Sequence, residues 1–357
     1  MVQPDLPSPA HRVLPVDAVR RRLASAIFGA SLAWPLVGVA DAAETRSRRS
    51  RAMMGTQVDI VVESTDAPLQ RAAVELAFVE MGRLVARMSH YQATSDVGAI
   101  HLASGIQPVP VAPELMTVLR MAQAMSRRSS GAFDVTVGAL GLWDGAAHPP
   151  RPPEPRQLAS RLAMVDHRQL VLDESAGTAF LARRGMRVDL GGIAKLPILA
   201  AGMKVLQQHG LRHALINGGG DVLATPRAGG RPWRVGIRDP HQPARLLATL
   251  DLHRGWVVSS GDYERFVEHD GRRHHHVLDP RTGQSSRGVH GVTLVADEIE
   301  AVNGLGTALM VLGAPAAREL IRHSTGVEAL LTGSDQPLWV TPGLARRLAR
   351  PPGSAMS

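Results

Sequence analysis

The side chains best suited to chemistry lie close together in residues 259–283, which read SSGDYERFVEHDGRRHHHVLDPRTG. Positions 274–276 are histidines, and near pH 7 an imidazole can accept a proton or bind a metal ion. Because strand side chains alternate, His274 and His276 share one face and His275 points to the other. We interpret this stretch as the floor of an active site, with an exposed hairpin of solvated histidines as the alternative. Zinc binding is a weaker hypothesis, since the chain has no cysteine and no HExxH pattern.

The same stretch predicts a β-hairpin followed by a tight turn. Residues 263–267 lead into Asp270-Gly271, a pair that adopts positive φ at low cost, and the return strand runs through residues 274–278. The next residues, DPRTG, combine a proline that fixes φ with a glycine that closes the turn. Asp279 and Arg281 would lie at its edge, where backbone and charge can face a phosphate.

Two glycine-rich segments could approach a ligand through their backbone. In INGGGD, residues 216–221, a strand ends in a glycine turn and a second strand follows, so this is not a dinucleotide fingerprint. VDLGGIAK, residues 188–195, precedes a helix predicted over residues 196–209 with Pro197 in its first turn. The N-terminus of such a helix points backbone N–H groups at an anion.

A further polar pair, Asn303 and Thr307, lies in a helix predicted over residues 299–312. Residues four apart share one helix face, so an amide oxygen and a hydroxyl would lie together. The alternative is a polar pair that only caps or solvates the helix.

Alternating helices and strands must position these groups. Helical spacing of apolar residues also predicts helices at residues 68–88, 113–126 and 315–322, and Ser95 is a predicted N-cap. Strands are predicted at residues 58–62, 170–172, 179–182, 292–295 and 328–331. A chain of 357 residues with 44% hydrophobic and 3% aromatic residues fits helices laid on sheets, in one large domain or two lobes.

The net charge of +8 does not indicate nucleic-acid binding. Much of the excess lies in residues 20–22 and 46–51, and no basic stripe alternates with aromatic residues. The absence of cysteine excludes disulfides, thiolate metal sites and a cysteine nucleophile.

Residues 1–42 are predicted to be an export signal. Arg20-Arg21-Arg22 precede an apolar run, and Ala40-Asp41-Ala42 fits a small-x-small cleavage site. We therefore expect a periplasmic protein, exported by the Tat or the Sec route, whose mature chain begins near Ala43. The alternative is an uncleaved inner-membrane anchor, because the apolar run of about 17 residues is near the lower limit for spanning a bilayer.

Eight motifs, taken in order, resemble the ApbE family of FAD:protein FMN transferases from Met54 to Leu331. They are MGT at residue 54, MSHYQATSDV at 88, GAFDVTVG at 131, VDLGGIAK at 188, INGGGD at 216, SGDYERF at 260, HVLDPRTG at 276 and NGLGTALMVLG at 303. The resemblance implies an α+β fold with a two-lobed, ApbE-like (T-fold-like) architecture and FAD in the cleft between the lobes. The chain is then divided into an export signal at 1–42, an Arg/Ser-rich linker at 43–52, a flavin transferase domain at 53–345 and a C-terminal tail at 346–357.

The resemblance also implies a reaction. Members of this family split FAD at its pyrophosphate with the help of Mg²⁺ and transfer the FMN phosphoryl moiety to a threonine of a client protein, releasing AMP. The expected substrate is therefore FAD, the expected metal ion is Mg²⁺, and the expected partner is a client flavoprotein of a membrane respiratory complex rather than a nucleic acid. Two alternatives are an FAD pyrophosphatase that releases FMN and AMP, and a non-catalytic periplasmic FAD-binding protein.

Matching motif to motif, the resemblance assigns roles to individual residues. His276, which matches the family's HxxDP histidine, would be the catalytic base. The residues expected to line the flavin nucleotide are Met54, Tyr91, Ala132, Phe133, Asp134, Gly191 and Leu278. The metal ion would be bound by the carbonyl of Ala194 and by the side chains of Asn303 and Thr307.

The chain departs from the family's pattern at two places. Asn303 stands where the family usually has an aspartate, which removes a full negative charge and predicts weaker magnesium binding. Lys195-Leu196-Pro197 stands where the family commonly has Lys-Gly-Tyr, so a tyrosine that could contact FAD is absent.

Overall fold

The structure is a computed structural model that describes residues 45–141, 154–242, 244–263, 266–269, 272–334 and 338–349. All of them belong to one compact unit, residues 44–357. The predicted export signal and the Asp270-Gly271 turn lie outside the described residues. Among the helices that are described, none is both long and apolar enough to cross a bilayer.

The strands are numbered in chain order. They are β1 (Thr45–Met53), β2 (Thr56–Ser64), β3 (Val109–Pro110), β4 (Leu170–Asp173), β5 (Thr178–Leu181), β6 (His213–Gly218), β7 (Asp221–Ala224), β8 (Trp233–Arg238), β9 (Leu246–Leu252), β10 (Gly255–Gly261), β11 (Phe266–His269), β12 (Arg272–His275), β13 (Val289–Ala296), β14 (Glu328–Gly333), β15 (Trp339–Val340) and β16 (Leu348–Ala349).

The α-helices are numbered in the same way. They are α1 (Ala67–Met88), α2 (Asp96–Leu102), α3 (Pro113–Arg128), α4 (Pro155–Leu162), α5 (Lys195–Gln208), α6 (Ile299–Val302), α7 (Leu305–Leu312), α8 (Ala314–Arg322) and α9 (Pro342–Ala345). The long predicted helices are thus confirmed as α1, α3, α5 and α8, and Ser95 caps α2 by accepting a hydrogen bond from Gly98 N. Pro197 lies in the first turn of α5, where its missing N–H costs nothing.

The main sheet has eight strands in the order β1-β2-β6-β7-β10-β13-β14-β15, and each neighbouring pair is antiparallel. Both faces of the main sheet are buried. Successive side chains of a strand point to opposite faces, and each face packs in its own hydrophobic core. Ile60 and Trp256 join the larger core, which includes residues of α1, α5 and α7. Val61 and Val257 join a smaller core with β8 and β9. The sheet is therefore the central layer, with helices on one face and the β16-β9-β8 sheet on the other.

The prediction of a linker at residues 43–52 is wrong for its described part. Residues 45–53 form β1 and pair with β2 along their whole length. The arginines are held by carboxylates, since Arg48 and Ser50 both bond to Asp59 of β2 and Arg51 pairs with Glu75 at 2.7 Å. Alternation of basic and small polar residues is compatible with an edge strand, which proteins commonly protect with charge.

Two other boundaries differ from the prediction. The return strand of the hairpin, β12, ends at His275 instead of residue 278, because Val277 O accepts a hydrogen bond from Ser286 N at 2.9 Å and Leu278 bridges to Ser285. The chain has therefore changed its pairing partner. The tail predicted from residue 346 contributes β16, which pairs with Thr249 and Leu250 of β9.

Candidate functional site

The chemistry-bearing segments meet where four glycines leave no room for a side chain; we call Gly192, Gly219, Gly304 and Gly306 the glycine junction. A Cβ added at Gly192 would lie 3.0 Å from Thr307 Oγ1 and 3.2 Å from the Phe133 ring. A Cβ added at Gly304 would lie 3.1 Å from Met125 and 3.4 Å from both Ile193 and Phe133. The 188–195 segment therefore packs directly against the start of α7.

Two further contacts extend the junction to the main sheet. A Cβ added at Gly306 would lie 2.5 Å from Ser260 Oγ in β10, and one added at Gly219 would lie 2.3 Å from Thr56 Oγ1 in β2. Glycine is required at 219 for a second reason, because its φ is +66°. Three hydroxyls, of Thr56, Ser260 and Thr307, consequently face backbone that carries no side chain.

An ion pair fixes the N-terminus of α5 to the sheet. Lys195 Nζ lies 2.8 Å from Asp221 Oδ2, and the other oxygen of Asp221 accepts a hydrogen bond from Ser259 N at 2.9 Å. The Asp221 side chain is 7% exposed and that of Lys195 is 26% exposed. The pair thus joins α5, β7 and β10 at the end where the INGGGD turn lies.

Phe133 and Ala132 are buried beside the junction, and Asp134 holds their loop in place. Asp134 Oδ1 accepts hydrogen bonds from the backbone and hydroxyl of Thr136, at 2.8 and 2.6 Å. Asp134 Oδ2 accepts one from His167 N at 2.9 Å and lies 3.2 Å from His167 Nδ1. Both carboxylate oxygens therefore have protein partners, which makes Asp134 a structural residue in this arrangement.

Tyr91 and Gly191 are brought near each other through His90 and Asp189. The rings of Tyr91 and His90 are 3.9 Å apart, and His90 Nδ1 lies 3.7 Å from Asp189 Oδ1. The same Asp189 oxygen accepts a hydrogen bond from Gly191 N at 2.7 Å. Tyr91 is 75% exposed, so its ring is available to a ligand at the surface.

Met54 lies at the tip of the β1–β2 hairpin, next to Thr56 and hence next to Gly219. Met54 has a φ of +55° and Gly55 a φ of +69°, and positive φ at both positions is preferred in two-residue hairpin turns. Positive φ is unfavourable for a residue with a long side chain, and such strain is often found at ligand sites.

The structure overturns the assumption that placed Asn303 and Thr307 on one helix face. The predicted helix is broken into α6 and α7: Asn303 has extended backbone and Gly304 has a φ of +78°. Asn303 is 3% exposed, its Nδ2 lies 3.6 Å from the Met121 sulfur, and its Oδ1 is buried without a hydrogen-bond partner. It lines a cavity of about 100 Å³ with Met121, Met125, Arg128 and Glu300.

The donor set at this site is neutral. Within the described residues no group of three or more His, Cys, Asp or Glu side chains could bind a metal ion. The carbonyl of Ala194, at the N-cap of α5, accepts a hydrogen bond from Ile198 N at 3.2 Å. Thr307 is half-buried against Gly192, and the unpartnered Asn303 oxygen is the kind of atom that a cation would satisfy.

Neighbouring histidines of this stretch differ in burial. His275 is buried, its Nε2 lies 2.9 Å from Ser286 O, and burial lowers its pKa, which keeps the ring neutral. His276 is exposed directly after β12, and Leu278 is half-buried. His276 is therefore the more accessible member of this pair.

The DPRTG turn forms as predicted, but its charges pair with each other. Arg281 donates two side-chain hydrogen bonds to Asp279, at 2.9 and 2.8 Å. Burial alone would raise the pKa of Asp279, and the hydrogen bonds from Arg281 more than offset it, so the pKa is lowered. Gly283 packs against Leu158 of α4, which anchors the turn.

Comparison with known proteins assigns these motifs to a family. A sequence profile described as the ApbE family matches residues 54–331. The chain belongs to the ApbE family. It is 32% identical over 321 residues to the FAD:protein FMN transferase of Treponema pallidum, covering 84% of this chain and 88% of that protein. It is 30% identical over 292 residues to a FAD:protein FMN transferase of Klebsiella pneumoniae, covering 81% and 90%.

The fold agrees with solved structures of ApbE proteins. The crystal structure of the ApbE protein from Thermotoga maritima matches with a TM-score of 0.78 and 28% identity, over 85% of this chain and 99% of that one. The predicted α+β ApbE fold and the prediction of a transferase are thereby confirmed. The division into two lobes stays a prediction.

The motifs contain four further site residues to which the resemblance assigned no role: Lys195, Asp221, Ser260 and Thr56. Lys195 and Asp221 are the last residues of the two glycine-rich segments, a position where a charged residue would have been a reasonable candidate. Nothing in the local sequence indicates that they pair, because 26 positions separate them along the chain and only the sheet brings them together.

Proposed function

We propose that this chain transfers the FMN phosphoryl moiety of FAD to a threonine of a client flavoprotein, in a magnesium-dependent reaction that releases AMP. The names of its relatives support a flavin transferase. The observation that carries the proposal is the glycine junction, which brings the hydroxyls of Thr56, Ser260 and Thr307 to the end of the sheet where the Lys195–Asp221 pair and the N-terminus of α5 lie. Such an arrangement suits a pyrophosphate, since hydroxyls, a lysine and a helix N-terminus all donate to phosphate oxygens.

Each group then has a chemical task. Thr307 and Ser260 can donate hydrogen bonds to phosphate oxygens, and Lys195 adds a positive charge that Asp221 holds in position. His276 accepts the proton of the incoming threonine hydroxyl, for which a neutral imidazole is suited near pH 7. Tyr91, which is exposed, and Met54, at the tip of the β1–β2 hairpin, would contact the flavin. Mg²⁺, when bound by Ala194 O, Asn303 and Thr307, would neutralise charge on the pyrophosphate and on the leaving AMP.

The decisive experiment incubates the purified protein with FAD, Mg²⁺ and candidate flavoproteins of the same genome. Covalent FMN on a client threonine, detected by mass, together with equimolar AMP, is the expected result. A client with that threonine replaced by alanine is the matched control. Release of free FMN and AMP without any client adduct would instead identify a pyrophosphatase, and unchanged bound FAD would identify a binding protein.

A further inference from the structure

Three adjacent strands bring an aspartate, a histidine and a serine to one end of the main sheet. Asp262 directly follows β10, His290 is the second residue of β13, and Ser334 directly follows β14. In the register of these antiparallel pairs, Gly261 faces Gly291 and Val289 faces Gly333. The three side chains come from chain positions that are 28 and 44 residues apart, so only the sheet places them together.

The side chains form a continuous hydrogen-bonded chain. His290 Nδ1 lies 2.6 Å from Asp262 Oδ2, and His290 Nε2 lies 2.8 Å from Ser334 Oγ. With a carboxylate at Asp262, Nδ1 carries the proton and donates to it, which leaves Nε2 to accept from the serine hydroxyl. Asp262 N also donates to His290 O at 3.1 Å, so the backbone fixes the same pair.

The backbone is irregular at the position of the histidine. The β13–β14 register shifts between Val289 and Gly291, which is a bulge centred on His290. Bulges re-aim side chains and are common beside active sites. The His241 ring lies 5.3 Å from the His290 ring in an edge-on arrangement.

The surroundings suit a reactive hydroxyl. Ser334 is exposed, while the Asp262 side chain is 15% exposed and that of His290 is 32% exposed. A small pocket is lined by Gly291, the chain neighbour of His290, and by Arg238, Pro240 and Ser260, which also contacts the glycine junction. Arg238 is exposed, and among the described residues it has no carboxylate partner, so it can attract a negatively charged group.

We propose that Ser334 is an activated nucleophile, with His290 as its general base and Asp262 as the residue that positions His290. The substrate class is an activated carboxylic or phosphoric ester that carries a negative charge. The serine oxygen forms a bond to the carbonyl carbon or phosphorus, and its proton passes to His290 Nε2. The bond to the leaving group then breaks, and the leaving group takes that proton. This chemistry is distinct from flavin transfer, although its pocket shares Ser260 with the glycine junction.

The test uses the folded, full-length protein and a fluorophosphonate probe, with modified residues located by peptide mass. We expect Ser334 to react at least about 100-fold faster than Ser175, which is also exposed and donates to Asp173 at 2.6 Å but has no histidine partner among the described residues. His290→Gln and Asp262→Asn should slow labelling of Ser334 and leave labelling of Ser175 unchanged. Ser334→Ala should abolish the labelled peptide.

Two results would overturn the proposal. One is labelling of Ser334 at the rate of Ser175; the other is labelling of Ser334 at its native rate in His290→Gln, with circular dichroism showing a folded variant.

Substrate charge is tested by the burst of 4-nitrophenol from mono-4-nitrophenyl succinate and from 4-nitrophenyl acetate. The anionic ester should react faster, and Arg238→Gln should remove that preference. Equal bursts of 4-nitrophenol from both esters in the native protein would show that Arg238 does not bind the substrate.

Discussion

The Asn303 side chain is buried, yet only one of its two polar atoms has a partner. Its nitrogen contacts the thioether of Met121, a weak acceptor, and its oxygen has none. Leaving a buried acceptor unsatisfied costs about 1–3 kcal/mol. A ligand that satisfies this oxygen would therefore also stabilise the fold.

Replacing Asn303 by aspartate tests whether that ligand is a cation. A carboxylate in this position would be buried without metal, and Arg128 of the same cavity already donates to Ala301 O and Ser324 Oγ, so we expect Asn303→Asp to lose about 3 kcal/mol of stability in chelator. Mg²⁺ with FAD should restore the melting temperature of Asn303→Asp. This variant should also need a lower magnesium concentration than the native protein for half-maximal transfer. Asn303→Leu, which removes the amide without adding charge, is the matched control. If Mg²⁺ and FAD raise the melting temperature of Asn303→Asp no more than that of Asn303→Leu, residue 303 is not a metal ligand.

His276→Ala tests the proposed base. Because a general base contributes about 10²- to 10⁴-fold to rate and little to substrate affinity, we expect transfer to fall by that factor while FAD stays bound. The transfer rate is measured from the appearance of FMN-modified client by mass spectrometry, and FAD binding is measured by fluorescence. His274→Ala, two positions earlier in the same stretch, is the control and should retain transfer. A loss of FAD binding in proportion to activity would make His276 a pocket residue instead.

At the scale of elements, the break between α6 and α7 depends on one glycine. Gly304 has a φ of +78°, and a Cβ there would lie 3.1 Å from Met125. We expect Gly304→Ala to destabilise the protein by about 1–2 kcal/mol, because alanine resists this φ. Gly82, inside α1 with nothing within 4 Å of its Cβ position, is the matched control, and Gly82→Ala should stabilise by about 0.5–1 kcal/mol. Urea unfolding measures both; an equal effect of the two substitutions would contradict this account.

A histidine in α2 makes stability depend on pH. His101 Nε2 lies 3.0 Å from Val188 N, at the start of the segment that carries the junction. Burial, and then the charge of Arg187, lower its pKa from 6.5 to about 4. As the pH falls below 6.5 the unfolded chain therefore binds a proton before the folded one does. The contribution of this histidine is complete above pH 6.5 and is lost as the pH falls toward 4.

We expect His101→Gln to reduce the loss of stability between pH 7.5 and 5 by on the order of 1 kcal/mol, a modest value because the ring is partly exposed. Urea unfolding at the two pH values measures the difference. The lowered pKa of His275 acts in the same direction and persists in the variant, so the pH dependence should weaken without vanishing. A pH dependence identical to that of the native protein would exclude His101 as its source.

At the scale of the whole molecule, we propose that the chain is exported to the periplasm and that residues 1–42 are removed. Cleavage after Ala42 would retain all the described residues of β1, Thr45–Met53. We expect the intact mass of the exported protein to correspond to a chain that begins near Ala43. A mass that retains residues 23–39 would instead indicate an anchor.

The sequence by itself determined the family, the order of most helices and strands, and which segments carry chemistry. Apolar periodicity is a local property, so α1, α3, α5 and α8 could be predicted closely, and the motif order identified the ApbE fold. The prediction failed where long-range contacts override local pattern. Residues 45–53 appear linker-like until Asp59 and Glu75 supply partners for their arginines.

Only the tertiary structure decided how the site residues relate to one another. The positive φ of Gly304 turns Asn303 out of the helix, which spacing cannot show, because a helical pattern says nothing of a single left-handed residue. The Lys195–Asp221 pair and the Asp262–His290–Ser334 group are likewise products of strand register in the central sheet. Register depends on the packing of both sheet faces, so it is a property of the whole fold and of no single segment.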